Sequence, residues 1–289
     1  MLLTFTQGES FYGSYYFRHL HPVFHHPGPG SRFRRFPLSV TIGGKTYREF
    51  DEITAEQFVE IIRQGHMPTS SQPAIGEVTA LYEEFSDDEI LNIAMADGLS
   101  GTYSSAAAAA QLCENSDQIT VLNSRTLCGP HRYLVQKCVE FAKEGQTLEQ
   151  IKSWCLQKMD TAKSYLMPED FDYLRRGGRL SPLVSHVGKL AGLVPVMTQT
   201  DDGCRITVST IRRGYSAAVK YLAEVLKKNG IGPGWRVYIA HAATKEKVEL
   251  TLKRLSEALP GAEFEVVPLS PAFITQGGPG ALAVQYIQM

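Results

Sequence analysis

Between residues 89 and 159 short apolar runs alternate with segments of helical periodicity, and this alternation restricts the possible folds more than any other feature. EILNIAM and ITVLN have the length and composition of buried strands. The alanine-rich segment SGTYSSAAAAAQLC lies between them, and the amphipathic segment RYLVQKCVEFAKEG follows. Strands joined by helices through short connections predict a parallel sheet covered by helices, with ligands bound at the C-terminal ends of the strands.

The second half of the sequence has a different pattern. VPVMTQTDDGCRITVSTIR holds two strand-like runs around Asp202-Gly203, a strong hairpin signal. EDFDYLRRGGRLSP is polar and broken by glycines, which indicates a loop, and LVSHVGKLAGL has helical spacing. We therefore predict an α/β protein of two α/β domains. The N-terminal domain, residues 37–165, has a parallel sheet with helices, and the C-terminal domain, residues 166–289, has a mixed or antiparallel sheet with helices.

Two of the predicted helices begin with a capping box. In ITAEQFVEIIRQG, Thr54 is followed three residues later by Gln57. In TLEQIKSWCLQKM, Thr147 is followed by Gln150 at the same spacing. In this arrangement each side chain accepts a hydrogen bond from the other residue's backbone N–H, which fixes the first residue of the helix.

Residues 1–36 form an atypical N-terminal segment. Aromatic residues, histidines, prolines and glycines dominate it without a period of 2 or 3.6, so we predict irregular structure. It lacks the basic start and continuous apolar core of a signal peptide. His21, His25 and His26 stand without a nearby carboxylate or cysteine, and we predict no metal site there.

The overall composition argues against several classes of protein. A formal net charge of -1 is not that of a nucleic-acid-binding protein, and we interpret the basic run Arg32–Arg35 as a solvated patch. No apolar run has the length of a transmembrane helix. The five cysteines lack CxxC spacing, which favours reduced thiols in a cytoplasmic protein, and their positions are Cys113, Cys128, Cys138, Cys155 and Cys204.

Two segments rich in hydroxyl groups precede predicted helices. PTSSQP, residues 68–73, holds three hydroxyls between two prolines. These hydroxyls either cap a helix that starts near Ala74 or bind a carboxylate or phosphate oxygen. The residue types favour capping. GLSGTYSS, residues 98–105, joins a strand to a helix, where free N–H groups attract anions and Gly101 permits close backbone approach. Helix capping and anion binding are equally good interpretations of the second segment.

Two further segments combine glycines with arginines or proline. LRRGGRLS, residues 174–181, is either a solvated basic loop or a grip for an anionic group. FITQGGPGALA, residues 273–283, has neither GxxxxGK[ST] nor GxGxxG, so it is not a phosphate loop. No Ser-His-Asp arrangement stands out. The residues therefore favour a binding protein over an enzyme, without a metal or cofactor.

Taken together, the four segments resemble the DegV family of bacterial fatty-acid-binding proteins over residues 37–289. That family carries T-S-Q-P, L-S-G-T-Y, G-G-R and H-T-G-P-G in this order. The matching positions here are Ser70-Ser71-Gln72-Pro73, Leu99-Ser100-Gly101-Thr102-Tyr103, Gly177-Gly178-Arg179 and Gln276-Gly277-Gly278-Pro279-Gly280.

The resemblance implies that a long-chain fatty acid lies in an apolar tunnel in a cleft between the two domains. It also implies a partner, the ATP-binding subunit of a fatty acid kinase, to which the carboxylate is presented for acyl-phosphate formation. The implied carboxylate-binding residues are Ser70, with Thr69 as its backup, Ser100, Gly101, Gln276 and Gly277. Arg176 and Arg179 are implied to face the head group and the kinase subunit.

The sequence departs from the family pattern at two places. Residues 1–36 contain no counterpart of the family's first strand and D-S-T/S motif. Gln276 stands where the family has histidine, and an amide can donate a hydrogen bond but cannot carry charge or move a proton. Two alternatives follow: a diverged regulatory or interaction module that has lost its ligand, or a small-molecule phosphotransferase built on LRRGGR.

Overall fold

A computed structural model describes residues 21–26, 32–182, 184 and 192–289, and these form an α/β structure with three sheets. Its strands are β1 (His21–His26), β2 (Arg32–Phe36), β3 (Ser39–Ile42), β4 (Lys45–Arg48), β5 (Thr69–Ser71), β6 (Glu89–Ala94), β7 (Ile119–Asn123), β8 (Lys163–Met167), β9 (Leu193–Gln199), β10 (Ile206–Arg213), β11 (Trp235–His241), β12 (Glu263–Pro268) and β13 (Leu282–Gln288). Its helices are α1 (Ala55–Arg63), α2 (Ile75–Glu84), α3 (Thr102–Leu112), α4 (Cys128–Lys143), α5 (Leu148–Met159), α6 (Phe171–Gly177), α7 (Tyr215–Lys228), α8 (Lys245–Ala258) and α9 (Pro271–Gly277).

The first sheet has the strand order β2-β1-β6-β7 and is covered by helices on both faces. Strands β6 and β7 are parallel, as the alternating pattern predicts, whereas β1 is antiparallel to both of its neighbours. Alternate residues of β6 point to opposite faces. Ile90 packs in a cluster with α2 and α3, and Leu91 and Ile93 pack in a cluster with α4 and α5.

The second sheet has six strands in the order β10-β9-β8-β13-β11-β12, with β11 and β12 parallel and the other neighbours antiparallel. Helices α7 and α8 pack on one face, where Val219, Leu222 and Leu255 are fully buried. Strands β9 and β10 form the predicted hairpin. The predicted boundary between residues 165 and 166 falls inside β8, and the two domain ranges stay a prediction.

A third, small sheet has the strand order β4-β3-β5. Together with α1 it buries Val40, Phe58 and Ile62 in the same cluster as Ala272 of α9 and Ala240 of β11. The small sheet is therefore packed onto the second sheet, beside the helix that carries the start of the TQGGPG segment.

The α/β class and both capping boxes are confirmed. The side chains of Thr54 and Thr147 accept from the N–H groups of Gln57 and Gln150. The predicted helix LVSHVGKLAGL lies largely outside the described residues. No helix in the described ranges is both long and apolar enough to cross a membrane.

Three expectations are wrong. The segment predicted to be irregular contains strands β1 and β2, and β1 forms because it pairs with β6, a strand distant in sequence. The side chains of the three histidines in this segment lie outside the described part of the structure. Part of the predicted loop EDFDYLRRGGRLSP is helix α6, since Asp170 caps its start and Gly178 ends it at φ 69°. The basic run is not solvated, because Arg34 pairs with Glu84 and Arg35 with Asp51.

Candidate functional site

A cavity lies between one face of the second sheet and the loops at the C-terminal ends of β6 and β7. It encloses about 800 Å³ of space free of protein atoms, including open solvent at its mouth. Apolar side chains form most of its wall. The lining residues are Met95, Ala96, Leu99, Ser100, Leu127, Cys128, Ser164, Tyr165, Leu166, Arg179, Met197, Thr198, Gln199, Ile206, Leu269, Phe273, Gln276, Ala283 and Gln285.

The loop between β6 and α3 brings Ser100 to this cavity. The Ser100 hydroxyl oxygen accepts from the Thr102 hydroxyl at 3.0 Å and from the Thr102 backbone N–H at 3.4 Å. Because both acceptor positions of a hydroxyl oxygen are then used, the Ser100 proton is left to donate to another group. This serine is suited to an anionic oxygen of a ligand.

The segment PTSSQP is attached to the start of α3. The Gln72 amide donates to the Ser105 hydroxyl, and a Cβ at position 101 would overlap Gln72 Oε1. Glycine at 101 therefore permits this contact. The helix-capping interpretation of PTSSQP is wrong, since α2 begins after Ala74 without a side-chain cap.

The middle hydroxyl residue of PTSSQP approaches α9. Residues 69–71 form β5, which pairs with β3. Ser70 Oγ lies 3.4 Å from Thr275 Oγ1, whereas the neighbouring Thr69 is exposed. Since neighbouring strand residues point to opposite faces, Ser70 is placed at the site and Thr69 away from it.

Gln276 lies in helix α9. The helix forms because Ser270 caps it and Pro271 occupies its first turn. Thr275 donates its proton to the Ala272 carbonyl at 2.6 Å, so it accepts the Gln276 amide proton at 3.0 Å. These bonds fix the orientation of the Gln276 side chain.

The remaining polar atom of Gln276 faces the G-G-R segment. Gln276 Oε1 is buried and has no hydrogen-bond partner among the described residues. A Cβ at position 177 would overlap this oxygen, and a Cβ at position 277 would lie 2.9 Å from the Ala281 Cβ. Both glycines are needed for this close approach between α6, α9 and the start of β13.

The two predicted arginines have different environments. Arg179 lines the cavity, and its Nε donates to the Leu99 carbonyl at 3.1 Å. Burial, together with the neighbouring Arg205, lowers the pKa of Arg179. Arg176 is exposed and lies over the Tyr173 ring with 4.8 Å between the guanidinium carbon and the ring centroid. Arg176 is not among the residues that line the cavity.

A second, more open cavity of about 560 Å³ adjoins the first and shares Leu99, Ser100 and Arg179 with it. Arg205, whose guanidinium donates to the Gly178 carbonyl at 3.1 Å, also lines this outer cavity. Arg205 lies in a hairpin with no motif, so the sequence gives no signal for its place at this cavity. The residues that line the outer cavity are Asp97, Gly98, Leu99, Ser100, Gly101, Gly177, Gly178, Arg179 and Arg205.

A buried acidic residue accepts a hydrogen bond from the backbone of α9. Glu49 has no exposed surface, and its carboxylate accepts the Ala272 N–H at 3.1 Å. Burial raises the pKa of Glu49 from 4.5 to about 7, although hydrogen bonds from Ser270 and the backbone of Ala272 and Leu38 oppose the rise. The sequence contains no signal for this residue, which lies in a polar stretch, YREFDE.

The structure thus brings together part of the predicted site. Ser100, Arg179 and Gln276 line one cavity, whereas Ser70 does not line it and lies 3.4 Å from Thr275, the neighbour of Gln276. The predicted glycines Gly101 and Gly277 lie directly beside these residues and permit close packing. Thr69 and Arg176 lie outside the cavity wall.

Comparison with known proteins agrees with this architecture. The profile of the DegV family, described as "Uncharacterised protein, DegV family", matches residues 31–289. Protein DegV of Bacillus subtilis is 32% identical over 253 residues, which cover 86% of this chain and 89% of that protein.

Solved structures share the fold. The crystal structure of DegV from Bacillus subtilis, described as a fatty acid binding protein, superposes with a TM-score of 0.76 at 30% identity and covers 88% of this chain and 91% of that one. The Streptococcus pneumoniae Fatty Acid Kinase (Fak) B3 protein loaded with linoleic acid gives 0.75 at 21% identity, covering 88% and 90%, a likeness of fold alone. On the profile match and these identities, the chain belongs to the DegV family.

Proposed function

We propose that this chain binds a long-chain fatty acid in the cavity between its two larger sheets, with the carboxylate near Ser100. The observation that carries the proposal is the cavity whose mostly apolar wall also includes the polar residues Ser100, Gln276 and Arg179. An apolar chamber with a few convergent polar groups at its mouth suits a molecule with a long hydrocarbon tail and a small polar head. The relative of known structure at 30% identity is described as a fatty acid binding protein.

The tail supplies most of the binding energy in this proposal. Burying each methylene contributes about 0.8 kcal/mol, so a long acyl chain gains on the order of 10 kcal/mol before the costs of association. The head group orients the ligand and must not be buried unpaired. In this proposal the Ser100 hydroxyl and the second amide proton of Gln276 donate to the carboxylate, and Arg179 adds positive charge.

The remaining predicted residues have supporting roles in the proposal. Ser70 holds the Thr275–Gln276 pair in place, and Gly101 and Gly277 keep the backbone close to the head group. Thr69 and Arg176, which lie outside the cavity wall, contribute less to ligand contact.

We further propose that the chain presents the carboxylate to a separate ATP-binding fatty acid kinase subunit, in the cytoplasm. The outer cavity supports this step, because it joins the opening of the inner cavity and is lined by Arg179 and Arg205. Two guanidinium groups beside the carboxylate suit an incoming phosphoryl group. Arg176 extends the basic surface that would meet the partner.

The first test is mass spectrometry of lipids extracted from the purified chain, followed by fatty acid titration after delipidation. We expect a co-purified acyl chain and saturable binding. Ser100→Ala is the site variant, and Ser104→Ala, an exposed serine one turn along α3, is its matched control. A chain without lipid that takes up none after delipidation would contradict the proposal and favour the regulatory-module alternative.

The second test adds a fatty acid kinase subunit, ATP and the loaded chain, and measures acyl-phosphate. We expect product only when all three are present. Lipid binding without product would leave the carrier function standing and remove the kinase step. Nucleotide binding by the isolated chain, measured by calorimetry, would instead support the phosphotransferase alternative.

A further inference from the structure

The cavity face of the second sheet has two rows of different polarity. Ala283, Leu166 and Met197 are paired across β13, β8 and β9 and form an apolar row. Two residues further along β13, Gln285 pairs with Ser164 of β8. Since β9 runs antiparallel to β8, Gln199 lies beside Ser164, and these three residues form a polar row. All members of both rows line the cavity.

The polar row is fixed to the loop that follows β7. The Gln285 amide donates to the Leu127 carbonyl at 3.1 Å and to Ser164 Oγ at 2.9 Å, and its oxygen accepts the Gly129 N–H at 3.1 Å. Gln199 donates to the Arg125 carbonyl at 3.1 Å. Sheet and loop therefore meet along this row, and the cavity is closed there.

Gln285 is the end of this row that lies away from Arg179. At the other end Gln199 pairs with Ile206, whose N–H donates to the Arg179 carbonyl at 2.9 Å. Gly277, next to Gln276, lies within contact range of Ala281 and Leu166. From Ala281 to Gln285 the chain advances four residues, which is about 13 Å at the rise of a β-strand. A hydrocarbon tail that enters beside Gln276 and follows β13 passes Ala283 and then meets Gln285.

A methyl end cannot replace the hydrogen bonds that Gln285 makes. Pushing the amide aside would leave the Leu127 carbonyl and the Gly129 N–H buried without partners, which is unfavourable. We infer that Gln285 is the residue that limits how far the acyl tail extends, and so determines the chain length that this protein prefers. This inference rests on the proposed fatty acid function.

The test compares two substitutions that remove the same hydrogen bonds. Gln285→Ala also removes the volume of the side chain, whereas Gln285→Met keeps it. The measurement is the dissociation constant of each full-length variant for a series of saturated fatty acids that increase by two carbons. Mass spectrometry of the co-purified lipid is the second readout.

We expect Gln285→Ala to prefer longer chains. Each two additional methylenes that enter the opened space improve the affinity about tenfold relative to the natural chain. Gln285→Met keeps the volume but lacks the hydrogen bonds that hold the side chain in place, so it is expected to shift the preference less than Gln285→Ala. If Gln285→Ala does not fold, as judged by circular dichroism, Gln285→Asn retains the amide with one methylene fewer and shifts the preference in the same direction by less.

The outcomes separate the two ideas. A natural chain that binds no fatty acid refutes the proposed function and this inference with it. Fatty acid binding with the same length profile in the natural chain and in every folded variant refutes only the role of Gln285. A shift in Gln285→Met as large as that in Gln285→Ala would also overturn it, because a side chain of the same volume would then not limit the tail.

Discussion

Glu49 predicts that this protein loses stability as the pH rises from about 4.5 to about 7. Its carboxyl group is fully buried beneath α9, and burial raises its pKa to about 7 from 4.5. The folded chain holds this proton up to about pH 7, whereas the unfolded chain releases it near pH 4.5. Unfolding in this interval therefore releases a proton, and the free energy of unfolding falls as the pH increases.

The size of the effect follows from the two pKa values. Each pH unit between them changes the free energy of unfolding by about 1.36 kcal/mol, so the interval from 4.5 to about 7 corresponds to about 3 kcal/mol. The substitution Glu49→Gln keeps the shape of the side chain and removes the ionisable proton. We expect this variant to gain about 3 kcal/mol relative to the natural chain as the pH rises from about 4.5 to about 8.

The assay is urea unfolding of the natural chain and Glu49→Gln at a series of pH values from about 4.5 to about 8. The measured quantity is the difference between the free energies of unfolding of the two chains, followed as a function of pH. Contributions from ionisable groups that both chains share cancel in this difference. Glu60→Gln, on the exposed face of α1, is the matched control and should show no such change beyond surface-charge effects. A difference that stays constant with pH for Glu49→Gln would refute the reasoning.

Three other substitutions test separate parts of the structure. Gln276→His should leave lipid binding unchanged and increase acyl-phosphate formation with a kinase subunit; lost lipid binding would show that this residue is misplaced at the head group. Arg205→Ala should keep fatty acid affinity within about twofold but reduce product formation, since Arg205 lines the outer cavity and not the inner one. Gly129→Ala places a Cβ in overlap with the Tyr238 ring and should destabilise by about 1–3 kcal/mol in thermal unfolding, whereas Gly76→Ala, with open space around it, should not.

Local signals in the sequence were sufficient to predict most of the helices. The capping boxes at Thr54 and Thr147 determine where α1 and α5 begin, because both partners are three residues apart. Helix α6 was missed since its apolar residues are few and its support comes from α9, a contact between distant segments. Strands β1 and β2 were missed for a similar reason, because β1 pairs with β6, which lies far along the chain.

The candidate site shows the same division. Ser100, Arg179 and Gln276 belong to short motifs, and the resemblance of these motifs to the DegV family grouped them. Glu49 and Gln285 belong to none, because each has its role only through a buried partner far away in the chain. The Glu49 carboxylate meets Ala272 across 223 residues, and Gln285 meets Leu127 across 158. No spacing rule in a single sequence detects such pairs.

The position of β13 inside the second sheet has a consequence for the kinetics of folding. Its Gln285 bonds to Ser164 across 121 residues, and pairings at such separation form slowly because a long loop must close first. The cavity is complete only after this strand has docked between β8 and β11. A molecule that binds only the finished chamber does little to speed folding, and instead it lengthens the lifetime of the native state.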